Sequence, residues 1–493
     1  MSKSTVAMST KLAFGIGTSG EAVTNWIFNA LTFFYYTQVM GLSGTLTAAA
    51  VTIGILSDAI SDPLMGSISD RWVSKLGRRH PFMFAAPVPL ILTLYFIFNP
   101  PLGLTDMELF VWFTLFTVLM RICTTLFAVP HLAFGAELTN DYIERTKVMS
   151  YNSIFSYLGV IIMHVVVWFV IFPAFDDGRT NQAAYSPIVI FCCSLIMVFM
   201  LSSAFATRGQ IARMSKVPDD LPPFSLRQLF REIAGTLKNK NYVYLLLGLF
   251  ALSITIGTHE TLTLYMGTFY WQFTDDQMGW LILGNVFGYA IGFLTAAALH
   301  KRFEKRWAIV ATSAGLSVAW SMAVTLRLFD AAPDNSTYTL VAFVVFWTTI
   351  AASCGSILNI SVMSALADIA DEHELKTGRR QEGIFYSART FFAKVTNGIG
   401  HIVAGIALDA VEFPIGVAAS EIPPDKIFAL GLIDGPFAMV WGLIAALIYT
   451  GYKIDKQTLE GIQQQLATIK KSERNPNDVP FDEMGKKTKN SML

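Results

Sequence analysis

The chain is expected to be an all-α membrane protein, with about twelve spanning helices in two six-helix halves. Three observations lead there. Of its 493 residues, 53% are hydrophobic and only 15% are charged, whereas a soluble domain carries about 25% charge. Apolar runs of about 20 residues, the length a spanning helix needs, recur along the whole sequence. A polar stretch near the middle divides them into two sets of six.

The spans fall near residues 12–38, 48–69, 81–99, 107–135, 149–174 and 186–206, then 242–271, 278–299, 307–328, 337–366, 384–411 and 426–452. The organisation that follows is a first bundle over 1–206, a central loop over 207–241, a second bundle over 242–452 and a tail over 453–493. Gly, Ser and Thr recur inside the spans, as close helix packing in a membrane requires.

Charge orients the spans. Basic clusters fall at Arg71, Lys75, Arg78 and Arg79, at Arg145 and Lys147, between Arg208 and Lys240, at Lys301, Arg302, Lys305 and Arg306, and at Lys376, Arg379 and Arg380. All of these lie in loops on one side. The positive-inside rule places that side, with both termini, in the cytoplasm. Thirty-six basic residues balance thirty-six acidic ones, which argues against a nucleic-acid surface. Cys123, Cys192, Cys193 and Cys354 follow no metal or disulfide spacing and read as packing residues. No cleavable leader pattern is apparent.

The central loop offers a candidate interfacial helix, with Leu226, Leu229, Phe230 and Ile233 on one face. The tail starts amphipathic at Leu459, Ile462, Leu466 and Ile469, then turns polar and is expected to be disordered.

Charges inside the spans point to function. Asp58 and Asp62 are four residues apart, so on a helix they share one face about 6 Å apart along the axis. A carboxylate at bilayer depth costs roughly 2.5–3.5 kcal/mol on insertion scales and marks an ion or substrate pathway. Two so close resist joint ionisation, so a positive charge or a proton is expected between them. Other ionisable groups in the spans are Glu21, Arg121, His259, Glu260, Arg389, Lys394 and Asp434. Arg121 reads either as an ion-pair partner of Glu21 or of a span-two aspartate, or as a substrate contact. His259 and Glu260 read either as a satisfied buried pair or as a proton relay. Two signatures point away from an enzyme: there is no His-Glu-x-x-His and no Gly-x-Ser-x-Gly.

The run from Gly66 through Asp70 and Arg71, followed by Gly77, Arg78 and Arg79, resembles the loop signature of the major facilitator superfamily, with five residues where most members have one. Its charges, with Asp141, Glu144 and Arg145 after span four, are expected to form ion pairs that latch the two halves in one conformation. Gly66 is expected to allow a close helix approach. Lys11-Leu-Ala-Phe-Gly15, Tyr35-Tyr36-Thr37, Asp58-Ala-Ile-x-Asp62-Pro63 and Ala367-Asp368-Ile-x-Asp371 narrow the match. Together they resemble the glycoside–pentoside–hexuronide:cation symporter family.

That resemblance implies a Na⁺ or H⁺ site at Asp58, Ser61, Asp62 and Thr125, with Lys394 beside the cation and substrate. Four oxygen-bearing side chains suit a hard cation. The family's sugar ligands do not carry over, because Ala22, Ala128 and Leu132 stand at those positions and Glu21 replaces a lysine. Ser387, Phe391, Phe392 and Lys394, with the Tyr452-x-Ile454-Asp455 exit from span twelve, also resemble the vertebrate sodium-dependent lysophosphatidylcholine symporters. The expectation is a monomeric, cation-coupled secondary transporter of the bacterial inner membrane, with no cofactor. Its solute would be a glycoside or an anionic sugar contacted by Glu21, Arg121, Arg389, Thr390 and Lys394, or else an amphipathic lipid. A transporter-derived sensor is the non-transport alternative.

Overall fold

A computed structural model describes residues 5–139, 141–213, 225–335, 337–378 and 382–474. Arg379 and Arg380, residues 214–224 of the central loop and the end of the tail lie outside the described residues. The chain is helical throughout, as α1 (Met8–Phe34), α2 (Gly44–Arg71), α3 (His80–Phe98), α4 (Asp106–Glu137), α5 (Ile143–Ala174) and α6 (Gln182–Ala212). A short α7 (Leu226–Thr236) follows. The second half comprises α8 (Lys240–Tyr270), α9 (Asp275–Arg302), α10 (Lys305–Leu328), α11 (Tyr338–Thr377), α12 (Glu382–Ala410) and α13 (Pro424–Tyr449), and α14 (Lys456–Arg474) ends the described chain.

Eleven of these helices are long and apolar enough to cross a membrane. The twelfth expected span, α1, has 27 residues, enough to cross about 30 Å of hydrocarbon. It falls outside the eleven because Gly, Ser, Thr, Asn and Glu21 dilute its apolar face.

Local chemistry sets the helix starts. Ser43 accepts a hydrogen bond from the Leu46 amide at the head of α2, and Asp141 accepts one from the Glu144 amide ahead of α5. Thr105 and Glu108 form a reciprocal capping box on α4. Such caps satisfy amide groups that the first turn leaves unpaired. The two halves repeat one another. α1 ends in a five-residue π turn, Tyr35–Val39, and α8 ends in another, Met266–Tyr270.

Contacts between the halves concentrate on the face opposite the termini. Asp409 of α12 accepts from the Gly44 and Thr45 amides at 2.8 Å each, closing the start of α2. Tyr265 donates to Thr37 at 2.6 Å, and Gln38 donates to Tyr265 and to the Pro414 carbonyl. Arg179 reaches across to Asp275 at 2.6 Å, to Thr268 at 2.8 Å and to the Phe273 carbonyl.

Backbone proximity makes the α2–α12 contact possible. A Cβ on Gly405 would lie 2.3 Å from the Gly44 carbonyl oxygen and 2.7 Å from the Ala48 Cβ. Gly405→Val is expected to force these helices apart, at a cost of about 1–3 kcal/mol for overpacking. A lower melting temperature of the purified protein would register it, and an unchanged one would contradict this packing.

On the face that carries the termini, the pairs seen for Asp70 and Arg79 lie within one half. Arg79 bonds Asp70, Ser69 and Glu137, and Arg78 meets Glu137 at 2.8 Å. They brace α2, α3 and α4 together, where the sequence suggested a bridge between halves. Glu144 pairs with Lys11 of α1 at 2.5 Å and Arg145 donates to the Thr139 carbonyl, again within the first half. Arg71 donates to Ser67 at 3.3 Å. Gly77 has a φ of +72°, which a glycine adopts without strain. Gly66 differs from expectation: a Cβ there would meet only Val129, at an ordinary 3.8 Å.

α7 and α14 dock onto the second half. Phe230 of α7 packs its ring 5.7 Å from that of Phe391 on α12, and Ile233 is buried. The side chains of Leu226 and Leu229 lie outside the described residues. In α14, Ile462 and Leu466 are buried while Ile469 is exposed.

Candidate functional site

Helix α2 carries Asp58, Ser61 and Asp62 on one side, Asp58 at its midpoint and the other two about one turn further on. Pro63 follows directly. Having no N–H, it leaves the Ala59 carbonyl oxygen without its usual helical donor, which adds an acceptor at this level of the helix. α4 lies alongside at close range because Gly54 is small: a Cβ there would lie 2.3 Å from Thr117 Cγ2.

Thr125 of α4 donates to Asp62 Oδ1 at 2.8 Å, and Ser61 donates to Thr125 at 3.2 Å. Three of the four residues expected to hold a cation, Ser61, Asp62 and Thr125, are therefore joined by hydroxyls between two helices, and Asp58 is linked to them through Lys394.

Two bases neutralise the carboxylates. Lys394 of α12 bonds Asp62 Oδ2 directly and lies 3.6 Å from Asp58. Arg121 of α4 is 3.6 Å from Asp58 on the other side, and its guanidinium lies 4.5 Å from the Phe28 ring centroid. Aromatic contact of this kind helps hold a cation out of water. Glu21 of α1 feels the charges of Asp62, Lys394 and Asp58. The five groups form one electrostatic cluster of three acids and two bases.

Lys394 belongs to the second half and the aspartates to the first. The site therefore bridges the halves, and the ammonium stands where a coupling ion would compete for the same oxygens.

Other expected contacts are not assembled here. Arg389 is five residues from Lys394, about 140° around α12, and points elsewhere. It donates to Asn359 of α11 at 3.3 Å and lines a small internal gap with Tyr242, Leu245, Leu246, Leu249, Val362 and Leu366. Thr390 bonds the Tyr386 carbonyl of its own helix. The bases that suggested an anionic solute are thus engaged: Arg121 and Lys394 by aspartates, Arg389 inside the second bundle.

His259 does not pair with its neighbour Glu260. Its Nδ1 lies 3.0 Å and 3.2 Å from the two oxygens of Asp434 on α13.

Sequence reasoning missed Glu137, which joins Arg78 to Arg79; its counterpart in the second half, Asp368, was singled out only as part of a family motif, and it accepts from Lys305 at 2.7–2.8 Å and from Tyr452 at 3.2 Å. It missed Arg179 and Asp275 too. An available signal was Arg179 itself, an arginine in a loop on the side otherwise poor in bases.

Comparison with known proteins places this architecture. The family model described as MFS/sugar transport protein matches residues 13–456. An uncharacterized symporter of Synechocystis is 24% identical over 93% of this chain and 96% of its own length. The isoprimeverose transporter of Lactiplantibacillus pentosus is 24% identical over 88% and 87%. The sodium-dependent lysophosphatidylcholine symporter 1-A of Danio rerio is 21% identical over 95% and 90%. Among solved structures, the xylose transporter of Escherichia coli in an inward-open conformation superposes with a TM-score of 0.59 at 15% identity, covering 92% of this chain and 98% of that one. With most of its length matched and its helices arranged in the corresponding fold, this chain is a membrane transporter and belongs to the MFS/sugar transport family.

Proposed function

We propose that the protein is a cation-coupled symporter that carries a glycoside or related sugar by alternating access. The observation that carries this reading is the Asp58–Asp62 pair, with Ser61 and Thr125 beside it and Lys394 reaching it from the opposite half. A Na⁺ or H⁺ entering this site releases Lys394, and with it one tie between α2 and α12. Ion binding is thereby linked to the relative position of the two halves, which is what coupling requires.

The solute reading draws on the sugar named for one relative and on the engagement of the bases, which favours a neutral sugar over a sugar acid. The lysophospholipid named for another relative supports a second candidate. The distribution of basic loops supports termini on the cytoplasmic side of a bacterial inner membrane.

A thermal-shift screen of the purified protein tests the proposal. Neutral glycosides, sugar acids and lysophosphatidylcholine are each offered with and without Na⁺, and across acidic and alkaline buffers. A ligand that binds the native state raises its stability, by about 2.7 kcal/mol at a hundred times its Kd. The expected result is a shift with a neutral sugar that grows with Na⁺ or with acidity. Stabilisation only by lysolipid would move the reading to the second candidate. A sugar shift indifferent to every cation would overturn coupling.

A further inference from the structure

The second half holds an acid–base cluster of its own, remote in sequence from the α2 carboxylates. His259 of α8 is partly buried and bonds Asp434 through Nδ1 at 3.0 Å. Its ring stacks on Trp320 of α10, with centroids 4.3 Å apart and planes 24° apart. Asp434 is only 3% exposed and sits in a π turn, Ile433–Phe437, that contains Pro436. Turns of this kind inside helices recur at functional sites. Here the turn brings a carboxylate into contact with an imidazole one helix away.

Glu260 is adjacent in sequence but turns to a different face. Gly257 of α8 abuts Gly400 of α12, and Thr255 bonds the Ala438 carbonyl of α13. The remaining face carries Ile256, Glu260 and Thr263, and the last two are exposed. Among the described residues, Glu260 makes no hydrogen bond or ion pair; its electrostatic neighbours are His259 and Tyr289 of α9. A carboxylate at bilayer depth that makes no hydrogen bond or ion pair is costly and marks an ion or proton path.

Other titratable and charged groups around the cluster are accounted for. Tyr270 lies in electrostatic reach of Asp434, and Arg327 of α10 lies over the Tyr270 ring at 4.9 Å. His401 of α12 bonds Thr261, and Glu21 of α1 belongs to the α2 cluster. On α11, Asp368 is held by Lys305, and on α13 Tyr449 packs on Gly248.

We propose that Glu260, His259 and Asp434 form a protonation site in the second half, separate from the Asp58–Asp62 site. The proton comes from water at the exposed Glu260 face and returns to it. When the imidazole carries it, the Nδ1–H stays donated to Asp434, whose negative charge balances the imidazolium. No electron is transferred. The inference stands independently of the cation site, since it uses none of its residues.

The test is infrared difference spectroscopy of the purified, lipid-reconstituted protein, stepped between alkaline and acidic buffer. Proton uptake is counted in parallel with an indicator dye. Wild type is expected to show a protonated-carboxyl band and an imidazole ring change. Glu260→Gln should lose the carboxyl component and His259→Gln the ring component, each with reduced proton uptake. Circular dichroism and the melting temperature in alkaline buffer should match wild type in both variants, which shows that the variants are folded. Spectra and proton counts identical to wild type in both variants would overturn the proposal. So would stabilisation of wild type by choline or methylammonium that Glu260→Gln abolishes, since the site would then hold an ammonium group instead of a proton.

Discussion

Asp62→Asn is expected to abolish cation-driven accumulation while leaving the protein folded. Asparagine has nearly the shape of aspartate and can still accept the Thr125 hydrogen bond, which spans 2.8 Å in the structure. What it lacks is charge. Lys394 then keeps only Asp58, at 3.6 Å, and a small cation meets one carboxylate already paired with Arg121 at 3.6 Å. With one-for-one coupling, a tenfold cation gradient is worth about 1.4 kcal/mol and drives about tenfold accumulation. The variant should reduce this to simple equilibration in proteoliposomes, using whichever sugar the thermal-shift screen identifies. Accumulation that still follows the cation gradient would refute the site.

Lys394→Ala is the informative companion, because it removes the competing ammonium and exposes an unbalanced acid. Its stability should depend on Na⁺ or acidity more steeply than wild type. Equal dependence in the two would show that Lys394 does not compete with the ion.

Arg179→Ala is expected to open the seal opposite the termini. The guanidinium is buried and ties the first half to Asp275, Thr268 and the Phe273 carbonyl of the second. Truncating one partner of a buried ion pair costs about 3–5 kcal/mol, much of it from the stranded charge. At the lower figure, the sealed state would lose roughly a hundredfold in population relative to states in which these contacts are already broken. Asn29→Cys, at an exposed position of α1 eight residues before Thr37 of the inter-half contacts, made after the native cysteines are replaced, reports the change through an impermeant maleimide added on that face. Labelling should accelerate strongly in Arg179→Ala. An unchanged rate would show that this ion pair does not hold the seal.

The sequence by itself determined the class of protein and the place of its ion chemistry. Apolar run length is a local property, and lipid leaves the backbone few alternatives to helix, so the spans could be read directly. α1 was readable despite its polarity, because its length was right. Asp58 and Asp62 were legible because a helix puts residues four apart on one face, and a buried charge is rare enough to carry meaning; Ser61 and Thr125 came only with the family resemblance.

Only the tertiary structure decided which charges meet. Arg389 and Lys394 share a helix yet point to different places, since five residues advance the chain by a turn and about 140°. His259 bonds Asp434, 175 positions away, and leaves Glu260 beside it without a hydrogen bond or ion pair among the described residues. Glu137 read as an ordinary helix-end acid, and Asp368 only as part of a motif, until α3 and α10 bring Arg79 and Lys305 to them. Whether an ion pair braces one half or ties two together depends on where helices pack, and packing is settled by contacts between residues far apart in the chain. Glycines such as Gly405, Gly257 and Gly54 show the reason: backbone approach in the bilayer depends on shape at single positions, and the charges follow wherever those approaches place them.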